Sequence, residues 1–143
     1  MVIRFHAPQG RDYPTALAEL RAGRKLTHWI WWIFPQLTSL GHSPRAVEYG
    51  LRDLDEARAY LADPVLRANL IAAAEAVLSH PETPIEDIMG PVDALKLRSC
   101  ATLFEAASEG CEPVFARLLN TFYAGERCPL TLAALRGHGR PTR

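Results

Sequence analysis

Again and again along this chain a proline follows a residue that caps or opens a helix, and no other feature restricts the fold as much. The pairs are Ser43-Pro44, Asp63-Pro64, Thr83-Pro84, Gly90-Pro91 and Glu112-Pro113. Proline suits the first helical position, because its missing N–H would have had no intrahelical partner there and its φ is already helical. Ser, Thr and Asp just before it can accept a hydrogen bond from the first free amides. Glycines supply the stops: Gly23, Gly50, Gly90, Gly125 and Gly137. Between these marks the apolar residues recur at helical spacing.

The marks predict helices over 14–22, from Pro44 to Gly50, and from Asp53 with Asp55 and Glu56 in its first turn. A long helix runs from Pro64 to about Ser79, with Leu66, Leu70, Ala74 and Val77 apolar. Thr83-Pro84-Ile85-Glu86 reads as a capping box for a short helix ended by Gly90. Pro91 opens a helix to Ser108 whose apolar face is read as Val92, Leu95, Leu103 and Ala106, widened by Leu97, Ala101 and Phe104. A further helix starts at Pro113, and a last one covers 130–135. No stretch alternates convincingly as a strand does. The expectation is a mainly α, compact single-domain multi-helix fold over residues 1–136, with a flexible C-terminal tail over 137–143.

One segment does not declare its type. His28-Trp29-Ile30-Trp31-Trp32-Ile33-Phe34-Pro35 is short, aromatic and β-branched, and reads as a buried strand or a buried helical piece. It holds all three tryptophans of the chain. They can serve as a core plug or as an aromatic wall for a flat ligand. Trp29 and Trp32 are read as core; Trp31 and His28, with Gln36 at the far end, are read as pocket residues.

Charge and composition exclude several functions. Lys plus Arg number 16 and Asp plus Glu number 16, so no bulk charge draws a polyanion. No apolar run nears the about 20 residues that span a bilayer. The three cysteines, Cys100, Cys111 and Cys128, form no paired spacing and no CxxC, so neither a disulfide framework nor a structural zinc site is expected. The first residues lack a secretory apolar core, and reduced thiols in the cytoplasm are expected. Neither a phosphate-binding glycine loop nor a Gly-x-Ser-x-Gly or His-Glu-x-x-His pattern occurs, and no cofactor is implied.

Two further features carry chemistry. Asp93, Lys96, Ser99 and Thr102 follow one another three apart, so Asp93 can touch Lys96 and Ser99 can touch Thr102. Lys96 is a candidate for binding an anionic group, and a Ser99 nucleophile is the less favoured reading. The basic run Arg21, Arg24, Lys25 precedes the tryptophans and reads either as a phosphate contact or as a solvated helix end.

The stretch 25–37, Lys25-Leu26-Thr27-His28-Trp29-Ile30-Trp31-Trp32-Ile33-Phe34-Pro35-Gln36-Leu37, resembles a hallmark of the bacterial "domain of unknown function 1810" family. The stretch 93–104, Asp93-Ala94-Leu95-Lys96-Leu97-Arg98-Ser99-Cys100-Ala101-Thr102-Leu103-Phe104, is similar to its second hallmark. The resemblance covers about residues 4–135. It implies a compact, mainly helical domain and no settled activity. It also implies a distant kinship with proteins linked to NAD and ADP-ribose, including hydrolases that free ADP-ribose from guanine; none of their catalytic residues matches a position here. Two positions depart from the family pattern: Cys128 stands where relatives carry an acid, and Cys100 follows Ser99 where relatives have a second serine.

Two functions follow as expectations. One is a small hydrolase for an ADP-ribosyl or other nucleotide-like N-glycosidic substrate, with Asp93 as the carboxylate such a transition state needs. The other is a non-catalytic module that binds a small ligand or a peptide. Both use the same residues: Lys25, His28, Trp31, Gln36, Lys96, Ser99 and Thr102.

Overall fold

Side-chain caps fix several helix starts where the sequence places them. In the computed structural model, which describes residues 2–138, the Ser43 hydroxyl accepts from the Ala46 amide, Asp53 from Glu56, and Asp63 from both Val65 and Leu66. Nine α-helices follow one another among the described residues. They are α1 (His6–Ala22), α2 (Ile30–Ile33), α3 (Pro44–Glu48), α4 (Leu54–Ala62), α5 (Pro64–Leu78), α6 (Ile85–Met89), α7 (Pro91–Ser108), α8 (Pro113–Phe122) and α9 (Pro129–His138). Short 3₁₀ turns cover Val2–Phe5 and Thr38–Leu40. The fold is helical, as the punctuation predicts, and the aromatic segment resolves into one helical turn, α2.

α7 is the centre. It packs against α4, α6, α8 and α9, while α1 packs on α5 and α5 on α8. Its buried residues include Ala94, Leu97, Cys100, Ala101, Leu103 and Phe104. Val92 and Leu95, read from the sequence as part of the core face, are instead 65% and 58% exposed. An apolar stripe this wide does not say which half meets a neighbour; packing from several sides turns the helix toward its middle residues.

Four other expectations change. α1 begins at His6 rather than Pro14, and Pro14 lies inside it. A mid-helix proline removes one hydrogen bond and crowds the carbonyl four residues back. Here that residue is Gly10, which brings no side chain of its own to the crowding. Tertiary bonds also hold this turn: Gln9 donates to the Trp32 carbonyl at 3.1 Å and to the Tyr60 hydroxyl at 2.8 Å, and Asn69 donates to Gln9 at 2.8 Å. The Thr83 capping box does not form; α6 starts at Ile85 behind an extended Pro84, without a side-chain cap. Gly50 lies beyond the end of α3. A Cβ there would sit 2.5 Å from Thr38 Cα, so glycine is needed for close approach, not for a helix stop. That approach belongs to a single parallel bridge, Leu37 to Leu51, with Thr38 N–H donating to Leu51 at 2.8 Å and Leu51 N–H to Gln36 at 2.9 Å. α9 runs through Gly137 to His138; residues 139–143 of the expected tail lie outside the described residues.

Trp29, Trp32 and Phe34 are 1%, 4% and 1% exposed and join Phe5, Tyr60, Phe104 and Phe115 in one core. Trp29 and Trp32 are therefore core residues, as read from the sequence. No helix among the described residues is long and apolar enough to cross a membrane.

Candidate functional site

The loop from Arg24 to Trp29 hangs on one carboxylate. Glu19, on α1, is 8% exposed. It accepts from the Leu26 amide at 2.7 Å, the Thr27 amide at 3.0 Å, the Thr27 hydroxyl at 2.6 Å and Trp29 Nε1 at 3.0 Å. Burial pushes its carboxyl upward, but these four donors hold it below the ordinary value. Sequence reasoning missed Glu19. The available signal was an acid lying between Ala16 and Leu20 on the buried side of α1.

The same loop is tied to α7. Lys25 Nζ lies 2.9 Å from Asp93 Oδ2, donates to the Thr27 carbonyl at 2.6 Å, and sits 4.8 Å from the Trp29 ring centre. Its side chain is only 6% exposed. Lys25, expected at a ligand, thus joins the two stretches 25–37 and 93–104 through Asp93. Asp93 Oδ1 faces Lys96 Nζ at 3.6 Å. Lys96 in turn lies 5.7 Å from the Trp31 ring centre, and the Arg45 guanidinium lies 5.2 Å from it.

Two spaces that share Gln36 and Lys96 as lining residues open beside this knot. A slot of about 10 Å³ is lined by Ile30, Trp31, Phe34, Gln36, Ala46, Tyr49, Gly50 and Lys96. A groove of about 220 Å³ is lined by Gln36, Leu40, His42, Val92, Leu95, Lys96, Ser99 and Leu130. Gln36 and Lys96 border both. Of the residues singled out in the sequence, the fold brings Trp31, Gln36, Lys96 and Ser99 to these spaces. His28 is exposed and borders neither. Thr102, 1% exposed, also borders neither: it donates to the Arg98 carbonyl at 2.8 Å and accepts from the Cys128 amide at 2.9 Å. Sequence reasoning missed His42, Leu40 and Leu130, which reach the groove only through the fold, and assigned Val92 and Leu95 to the core.

Ser99 Oγ lies 3.2 Å from both the Leu95 carbonyl and Cys128 Sγ. Cys128 precedes α9 and is 4% exposed. Burial pushes its thiol up, yet hydrogen bonds from Ser99 and from backbone amides of α9 leave it below its ordinary value. The Cys100 thiol, wholly buried, is pushed well up.

A larger, open space of about 530 Å³ is lined by Lys25 together with Arg24, Thr83, Glu86 and Asp87. Its acids and cations offset each other, so it selects neither sign of ligand. No cluster of metal-ligating side chains occurs among the described residues.

Comparison with known proteins agrees with this architecture. A family model described as "Protein of unknown function (DUF1810)" matches residues 1–135. The chain belongs to the DUF1810 family. Both hallmark stretches lie inside the match, and the fold joins them at Asp93. The conserved hypothetical protein Rv1873 from Mycobacterium tuberculosis, known as a crystal structure, is 42% identical with a TM-score of 0.92; the match covers 94% of this chain and 96% of that one. No curated protein matches the chain.

Proposed function

We propose that this DUF1810 protein binds a small anionic ligand, without turning it over, in the groove between residues 36–42 and the N-terminal half of α7. The observation that carries the reading is the convergence of both hallmarks on one space: Gln36 from the first, Lys96 and Ser99 from the second. The walls are apolar, from Leu40, Val92, Leu95 and Leu130, and the polar groups are few, as small-molecule sites require. At about 220 Å³ the groove suits something smaller than a drug-sized molecule.

Binding is favoured over hydrolysis by the state of Asp93. A glycoside-cleaving carboxylate must face the sugar. Asp93 borders neither space, and its two oxygens face Lys25 and Lys96. Stacking of a nucleobase on Trp31 is disfavoured too, because Lys96 and Arg45 already lie over that ring.

The test is a titration of the protein with ADP-ribose, AMP and short carboxylic acids, followed by tryptophan fluorescence. A saturable change for one of them, lost in Leu95→Glu, is expected. No change with any, or an undiminished response in Leu95→Glu, overturns the reading. In parallel, the protein is mixed with ADP-ribosylated guanosine. Free ADP-ribose above buffer, abolished by Asp93→Ala, would establish the hydrolase instead.

A further inference from the structure

Resting on the binding reading above, the geometry points to a ligand class for this groove, which we infer to be a monocarboxylic acid with a short apolar body. The carboxylate enters the slot at Trp31 and Lys96 while the body lies along Leu95 and Leu130.

Three observations converge. First, the Nε1 of Trp31 is buried and has no hydrogen-bond partner. The other two indoles each have one: Trp29 donates to Glu19 and Trp32 to Asp12 at 2.9 Å. A buried N–H without an acceptor costs stability; Trp31 borders the slot, and an acceptor there within reach of Nε1 removes that cost. Second, the slot is about 10 Å³, close to the room taken by one water. It therefore admits one oxygen atom; a phosphate placing one there leaves two more charged oxygens to be met at the border, where Lys96 is the one lysine or arginine among the described lining residues of the two spaces. A planar carboxylate can place one oxygen on the indole N–H and leave the other for Lys96 at the shared border. Third, the charge matches. Lys96 and Arg45 flank Trp31, and Lys96 holds Asp93 only at 3.6 Å, which leaves its ammonium donors to spare. The groove leading away is walled by exposed aliphatics, with Leu95 and Leu130 at 58% and 68%. An alkyl or aryl body covers them from water.

The experiment is a ¹H–¹⁵N correlation spectrum of the full chain during titration with octanoate, with octanol as the uncharged control. The chain has three tryptophans and so three indole signals, and Trp31→Phe assigns the one in question while keeping a ring in place. Octanoate is expected to move the Trp31 signal and leave those of Trp29 and Trp32 in place. Lys96→Met is expected to weaken octanoate binding by about tenfold or more, because a charged donor is lost. Octanol is expected to bind more weakly by a similar factor. The inference is overturned if the Trp31 signal stays fixed as octanoate is added, which leaves the slot to water. It is equally overturned if octanol and octanoate bind alike. Should ADP-ribose or AMP saturate the groove while octanoate does not, the ligand class falls and the binding function stands. Should nothing bind, both fall.

Discussion

At Glu19 four donors converge on one side chain, so a single substitution tests the whole loop. Replacing the carboxylate with an amide leaves fewer acceptors for the Leu26, Thr27 and Trp29 donors. Glu19→Gln is expected to cost about 1–3 kcal/mol, the price of leaving buried donors unsatisfied. Urea unfolding at neutral pH measures it. The sign with pH follows from the lowered carboxyl value. A folded-state value below the unfolded one means that the folded chain binds fewer protons as pH falls. The stabilisation is then complete above the unfolded value, about 4.3, and is lost as pH drops through the lowered folded value. The gap between wild type and Glu19→Gln should be widest at neutral pH and narrow in acid. A gap that widens in acid would contradict the assignment. Such a residue is hard to read from sequence, because an acid on a helix is usually solvated; only the fold shows that its neighbours are amides and an indole.

Among the elements, two caps that look alike in sequence part ways in the structure. Asp63 accepts from the Val65 and Leu66 amides at 3.0 and 3.1 Å and also meets His6 Nε2 at 2.6 Å. Asp63→Ala is expected to lower stability by about 1 kcal/mol or somewhat more. Thr83 makes no cap bond to α6. Thr83→Ala is expected to fall within about 0.5 kcal/mol of wild type. A thermal melt of both variants separates them, and equal losses would restore the capping box at Thr83. The cap-plus-proline signal placed α3, α5 and α7 correctly because it acts within one turn of chain. It failed at α6, where Pro84 itself takes the capping position and offers no side-chain oxygen. Gly50→Ala belongs to this scale as well. Its Cβ would press on Thr38 backbone atoms, so a loss of about 1–3 kcal/mol is expected from overpacking, read as a lowered midpoint.

For the whole molecule, the Lys25–Asp93 pair joins the first third of the chain to the start of the central helix. Its ammonium is almost enclosed and its carboxylate 18% exposed. Removing Asp93 leaves the enclosed Lys25 ammonium without its carboxylate, whereas Asp93 without Lys25 still faces Lys96, so Asp93→Asn should be the costlier single change. A double-mutant cycle of Lys25→Met and Asp93→Asn is expected to show a coupling of about 1–3 kcal/mol by urea unfolding. Additive losses would mean that the pair does not join the segments. Trp31→Phe loses no indole hydrogen bond, so its cost in stability is confined to the ring contacts with Trp32, Arg45 and Lys96.

Local chemistry is what the amino-acid order determined by itself. Caps, prolines and apolar periodicity made the chain helical, and the residue types in 25–37 and 93–104 marked Lys25, His28, Trp31, Gln36, Lys96, Ser99 and Thr102 as candidates. These signals act over a few residues, so they survive any choice of packing. Tertiary structure alone decided which face of α7 is buried, that Lys25 pairs with Asp93, that His28 and Thr102 stand apart from the groove, and that Leu40, His42 and Leu130 line it. Those outcomes depend on which helices meet. Burial and the partners of a charge are properties of the assembled surface, and no stretch of sequence contains them.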